Sequence, residues 1–260
     1  MKILTLTNIT NKLYPIRLYF SIINYRTYLT LIISFFTTYL FYKYNFSFDT
    51  DLTLLSIAII FPLVFTIRGS FRRRENALEH LSEFRSALKV LHYFFMSNSK
   101  LSEEDKNEIQ GILHEINDKT IEILRDKNSN MQELDKVLHK VYLFTLDENR
   151  ALSRALRDKV FRFMKDLHES IENVYAIHIH RTPISLKAYC EVFIYIFPFI
   201  YAPTIIYSVG ATNPHWVTFL IVILTEFILI SLYNIQNQLE YPFDDVGLDD
   251  INLENFKIDR

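Results

Sequence analysis

At 260 residues the chain is long enough for one large domain or two modest ones. A formal net charge of -2 excludes a global pull toward nucleic acid. One cysteine excludes an internal disulfide framework or cysteine zinc site, and four glycines leave no GxGxxG or GxxxxGK(S/T) phosphate loop.

Half of the residues are hydrophobic, and they are sharply segregated: uncharged runs bunch at both ends and charges fill the middle. Residues 1–26 read as a cytosolic or interfacial segment. Their apolar residues are broken by Asn, Thr and Lys, and no small-residue cleavage site follows, so no signal peptide is expected. Pro15 is placed to open a short aromatic and basic helix, IRLYFSII, suited to the headgroup layer; a loosely ordered tail is the alternative.

Thr27 to Tyr42 is the first uncharged run, flanked by Arg26 and Lys43 and by Tyr25, Tyr42 and Tyr44 at belt positions. It is expected to be the first membrane helix. Leu52 to Ile67 is the second, and four arginines follow it at once: Arg68, Arg72, Arg73 and Arg74. An apolar run ending in a basic cluster leaves the bilayer on the cytoplasmic side. Its sixteen residues reach only about 24 Å of a roughly 30 Å hydrocarbon core. The helix is therefore expected to continue through Gly69 and Ser70, with the arginines snorkelling to the headgroups, and to flow into ENALEHLSEF. Pro62 frees the carbonyl of Ala58 and should kink or loosen that turn.

Phe71 to about Arg181 is polar and helical. Leu81, Phe84, Leu88, Leu91 and Phe95 recur at spacings of three and four. Ser102 with Asp105 predicts a capping box, and Ile109, Ile112, Leu113, Ile116 and Ile123 predict the buried face of the helix it opens. A third helix is marked by Met131, Leu134, Leu138 and Val141, and a fourth by Leu152, Leu156, Val160, Met164, Leu167 and Ile171. Ala188 to Val209 is a third apolar run, containing Pro198 and Pro203, and Trp216 to Tyr233 is a fourth, opened by a belt tryptophan. An acidic tail ends the chain.

The expected fold class is thus an all-α membrane protein with four transmembrane helices and a cytosolic helical bundle inserted between the second and third. The expected segments are 1–26, helices one and two over 27–70, the bundle over 71–185, helices three and four over 186–236, and a tail over 237–260. Basic residues gather in the N-terminal segment, beside the second run and before the third, which puts both termini and the bundle in the cytoplasm of a cell-membrane protein.

Few residues volunteer for chemistry. Glu226 sits near the centre of the fourth run, where a lone carboxylate costs on the order of 3 kcal/mol on insertion scales. It is either a pore, proton or ion site, or a neutral acid bonded to a neighbouring helix. His178 and His180 are two apart, a spacing that a helix splays, so no metal site is expected there. Asp244, Asp245, Asp249, Asp250 and Glu254 are oxygen ligands of the type Ca²⁺ takes, but their spacing does not match an EF-hand loop; a solvated or interface-forming tail is the favoured reading. No GxSxG, HExxH or Cys–base pattern occurs, so no enzyme is expected and no cofactor is called for. Ile59, Leu63 and Ile67 lie at a period of four on the second helix. They are either plain helix packing or, around a symmetry axis, stacked apolar rings that gate by dewetting, with Arg68 as a positive ring at the exit.

These pieces resemble the bestrophin family of ion channels. The order of segments carries part of the likeness. So does the exit FTIRGSF, where bestrophins have an apolar neck, an arginine and an Asn/Ala/Tyr-containing stretch. The junction NQLEYPFDDVGLDDINLE is the most specific part, similar to the family's Glu-Asn-Pro-Phe-Gly segment and the Asp- and Leu-rich stretch after it. RRRENALEH replaces a tryptophan-bearing stretch, Tyr241 stands in place of Asn, and Asp244 in place of Gly, which marks a divergent member. The resemblance implies a homopentamer whose second helices line a central pore. Ile59, Leu63 and Ile67 would match its neck rings. Asp244 and Asp245 would fall where animal members bind Ca²⁺. The arginines at the exit favour anions, chloride among them, over cations. The alternative is a membrane-anchored interaction module whose bundle binds a partner.

Overall fold

The computed structural model describes residues 22–126, 130–150, 152–210, 212–245, 247 and 249–259. The expected short helix after Pro15 lies outside the described residues, apart from its last residues. The described chain is helical: α1 Tyr25–Lys43, α2 Thr53–Met96, α3 Glu103–Arg125, α4 Met131–Leu146, α5 Arg154–Ile179, α6 Ile184–Ile205, a π turn Ile206–Gly210, α7 His215–Leu239 and a 3₁₀ turn Leu253–Phe256. It divides into two compact units. One holds residues up to 72 with 182–240, and the other holds 73–181 with 241–260.

In the first unit, α1, α6 and α7 pack on one another. A capping box of Asn24 and Thr27 opens α1. Its inner face is a stripe of hydroxyls, Thr27, Thr30, Ser34, Thr37 and Thr38, while Leu29, Ile32, Phe35 and Phe36 are exposed. These hydroxyls turn back onto the helix: Ser34 Oγ donates to the Thr30 carbonyl at 2.8 Å, and Thr38 Oγ1 to the Ser34 carbonyl at 2.8 Å. Among the described residues three stretches are long and apolar enough to cross a membrane, in α2, within 154–210 and in α7. α1 is not among them, because its threonines, serine and tyrosines lower its hydropathy. A second core segment of this unit joins Ile59 and Leu63 of α2 to Ile194 and Phe197 of α6 and to Ile230 and Tyr233 of α7.

α2 runs for 44 residues, through Gly69 and Ser70, as the uninterrupted helix-forming sequence predicts. Hydrogen bonds from the Thr53 side chain and backbone to Asp51 start it and hold that carboxyl below its ordinary pKa.

The second unit is a water-soluble type of bundle with its apolar residues inside. Ser102 caps α3, accepting from the Asp105 N–H at 3.1 Å while its hydroxyl donates to the Asp105 carboxylate at 2.7 Å. Phe84, Leu91, Ile109, Leu134, Val160 and Met164 share one core. The last twenty residues (241–260) pack with this unit. Phe243, Ile251 and Leu253 bury against Ala77 and Leu81, and Ile258 enters the main core. The Arg85 Nε donates to the Lys257 carbonyl at 3.1 Å, and Arg125 Nη2 to Glu254 Oε1 at 2.8 Å.

Arg150 closes the turn after α4. Its guanidinium lies 3.7 Å from the Phe144 ring centroid and pairs with Glu108 at 2.8 Å, Asp147 at 3.2 Å and Asp105 at 3.5 Å. Several half-exposed partners on one arginine screen one another less than isolated surface pairs do. Arg150→Ala should cost about 1–3 kcal/mol, read as a lowered Tm of the full chain in detergent. The Asn149 N–H and the Arg150 side chain hold the Asp147 carboxyl below its usual range. The folded chain then binds that proton less readily than the unfolded one. The contribution is complete above the ordinary carboxylate pKa and is lost as pH falls through the lowered value. Thermal melts across acid pH should show a shallower acid limb for Asp147→Asn.

Candidate functional site

α2 presents two opposite faces in its membrane stretch, and the difference follows from helix geometry. At about 100° per residue, Phe61 and Ile57 fall within about 20° of Arg68, and Val64 and Leu54 within about 40°. All four are exposed, Leu54 most of all at 79%. Ile59 lies about 180° from Arg68 and Leu63 about 140°. Both are fully buried in the first unit's own core.

Ile59 and Leu63, expected at a pore neck, are packed within the core of their own unit. Ile67 is half-buried against the same core and also leaves the exposed stripe. Arg68 itself is exposed, as is Arg72 one turn further on, and neither makes an ion pair among the described residues.

The buried side of α2 explains how Pro62 is accommodated. The Ala58 carbonyl, which Pro62 deprives of its helical donor, accepts from the Tyr189 hydroxyl of α6 at 3.1 Å. Sequence reading predicted the freed carbonyl and missed its partner, which comes from a residue 131 positions away.

Two further polar locks were also missed. Asn234, buried in α7, donates to the Ile22 carbonyl at 2.9 Å and to Thr27 Oγ1 at 3.0 Å, and its own Oδ1 accepts from Asn24 at 2.9 Å. Glu240, 2% exposed, accepts from Lys187 at 2.6 Å and from the Thr182 N–H at 3.1 Å. A lone Asn or Glu at the end of an apolar helix was the available signal for both.

The remaining expected residues are not brought together. Glu226 is buried, and neither carboxyl oxygen has a hydrogen-bond partner. Asp250 Oδ2 accepts from the Gly247 N–H at 2.8 Å, Asp245 faces Arg125 at 3.9 Å, and the Asp249 carbonyl accepts from Arg74. Among the described residues no three His, Cys, Asp or Glu side chains form a group able to hold a metal ion. Of the four expected tail acids, Asp245 and Asp250 thus face partners within the second unit. His178 lies in the last turn of α5 and His180 caps it, and the helix separates them as the spacing predicts.

No family model matches the chain, and no curated protein does. Solved structures do. The chain is similar to a bacterial bestrophin homolog from Klebsiella pneumoniae, at TM-score 0.71 and 16% identity, over 89% of this chain and 93% of that one. A mutant of that homolog matches at TM-score 0.71 and 15% identity, covering 89% and 95%. A further crystal structure, described as a membrane protein, matches at TM-score 0.72 and 15% identity, covering 89% and 92%. The described chain is thus all-helical, with three stretches apolar and long enough to span a membrane, as a membrane protein requires. Its fold is that of the bestrophin homologs, carried on a strongly diverged sequence.

The opposite faces of α2 lead to opposite expectations for neighbouring residues. Leu63→Ala should lower the Tm of the solubilised protein by the equivalent of about 2 kcal/mol or more, through the cavity it leaves. Phe61→Ala, on the exposed face, should leave the stability of the single chain within about 0.5 kcal/mol.

Proposed function

We propose that this chain is a bestrophin-like ion channel, a homopentamer in which five copies of α2 surround a central path. The observation that carries the reading is the exposed apolar stripe Leu54, Ile57, Phe61 and Val64, which ends on the unpaired Arg68 and Arg72. In a protomer whose other α2 face is sealed, that stripe is the part of α2 free to meet other copies. Around a five-fold axis it gives apolar rings that gate by dewetting, followed by positive rings at the exit. The likeness in fold to the Klebsiella homolog supports the same reading.

The positive rings favour anions. Low-dielectric walls around the exit strengthen the field of each arginine, and none of that field is spent on a local carboxylate. The four helices of the first unit span the membrane in this proposal, α1 included. Its exposed outer face of Leu29, Ile32, Phe35 and Phe36 suits lipid, and the hydroxyls of Thr30, Ser34 and Thr38 are satisfied by its own carbonyls. The arginine exit and both termini then lie in the cytoplasm.

Two measurements test this in order. Light scattering corrected for detergent should give five times the 31.0 kDa chain mass. A monomer or dimer would remove the central path. In bilayer recordings of the pentamer, Arg68→Glu should lower the anion-over-cation permeability ratio on the order of tenfold. An unchanged reversal potential would remove Arg68 from the exit.

A further inference from the structure

Pro62 divides the exposed stripe of α2. Leu54, Ile57 and Phe61 lie before it, and Val64, Arg68 and Arg72 lie after it. A proline inside a helix removes one backbone hydrogen bond and crowds the carbonyl four residues back, so the helix bends most easily there. Thr66 adds to this by turning its hydroxyl back onto the Leu63 carbonyl at 2.8 Å, a bond of the kind that bends helices.

The sections on either side of the proline are held differently. After it, Leu63, Thr66 and Ser70 are all buried, so successive turns are tied to the rest of the chain. Before it, Ile59 is the one buried residue between Thr53 and Phe61, with Leu55 packed partly against the same core. The leading section is therefore the loosely held one. The exposed rings of Phe61 and Phe65 meet edge to face across the break, with centroids 4.6 Å apart, so a bend at Pro62 changes the face of the stripe.

One polar bond ties the backbone of that loose section to another helix. The Tyr189 hydroxyl of α6 donates to the Ala58 carbonyl at 3.1 Å. Tyr189 is itself seated against Phe193, with ring centroids 4.4 Å apart. Its helix also packs on the buried side of α2, through Ile194 and Phe197 against Ile59 and Leu63. The pull of the bond is thus toward α6 and away from the exposed stripe.

We infer that Tyr189 is a positioning residue for the path proposed above: its hydroxyl latches the Thr53–Phe61 section of α2 onto α6, about a hinge at Pro62, and so sets how far Leu54, Ile57 and Phe61 stand from the axis. The latch rests on the geometry of the first unit alone, and its consequence for conduction rests on the channel reading. With the bond made, the section is drawn to the side of Ile59. With the bond broken, it leans toward the stripe side, where the apolar rings narrow and dewet. The net worth of one hydrogen bond shifts such an equilibrium about fivefold.

Two readouts on the full-length protein separate the latch from the channel reading. Hydrogen–deuterium exchange of the peptide covering Thr53 to Phe61, in detergent, reports the latch without any current. Tyr189→Phe keeps the ring and removes only the hydroxyl. It should speed that exchange about fivefold and leave the peptide after Pro62 unchanged. Pro62→Ala returns a helical N–H to the Ala58 carbonyl, so on that background Tyr189→Phe should change nothing. Equal exchange in wild type and Tyr189→Phe would overturn the latch. So would an equal increase on both backgrounds, because the phenol would then act by packing alone. Bilayer recordings read the consequence. Tyr189→Phe should lower the open fraction about fivefold with an unchanged reversal potential, and Pro62→Ala should suppress that loss. A shifted reversal potential would make Tyr189 a selectivity residue, and an unchanged open fraction despite faster exchange would remove the latch from the path; both overturn the positioning role. Silent wild-type pentamers with the expected exchange pattern would sink the channel reading and leave the latch standing.

Discussion

The structure depends on one constraint. In an apolar medium every polar group on the backbone must find its partner inside the protein. The Tyr189 hydroxyl on the Ala58 carbonyl is the clearest case, since Pro62 removes a helical donor in the middle of an apolar run. Thr30, Ser34 and Thr38 of α1 follow the same rule, each hydroxyl spent on a carbonyl one turn back. Asn234 follows it at the end of α7, closing three groups at the start of α1 with one side-chain amide. With these groups satisfied, the helices of the first unit can turn plain apolar surface outward.

That outward surface is what makes α2 informative. One side of the helix is sealed by Ile194, Phe197 and Ile230, and the other carries Leu54, Ile57, Phe61 and Val64 in line with Arg68. A soluble protein would hide such a stripe. In a bilayer protein it faces lipid or other copies of itself. Among the described residues the arginines that end it pair with no carboxylate, in contrast to Arg74, Arg125 and Arg150, all of which are held within the second unit.

The second unit follows the rules of water. Its cores are made by period-matched apolar faces on α2 to α5, its helix starts are capped by Ser102, Asn130 and Ser153, and its charges are arranged in exposed and half-exposed pairs. The acidic tail belongs to this logic. Ile251, Leu253 and Ile258 anchor it, and its acids are engaged by Arg125 and by the Gly247 N–H.

Much of this was legible in the sequence because it is local. Uncharged run length, helical periodicity, the Ser102–Asp105 cap, the freed Ala58 carbonyl and the improbable carboxyl at Glu226 each depend on residues a few positions apart. The likeness to bestrophins also lay in local motifs and was matched by the fold. Tertiary structure alone decided which way the faces turn. Ile59, Leu63 and Ile67 and the stripe through Phe61 are equally apolar, and a helix that is hydrophobic all round carries no periodic signal to say which side is covered. The partners Tyr189, Asn24 and Lys187 lie 131, 210 and 53 residues from the groups they satisfy, beyond the reach of any spacing rule. The acids of the tail look alike in sequence, and only the folded positions of Arg125 and Gly247 show what Asp245 and Asp250 face.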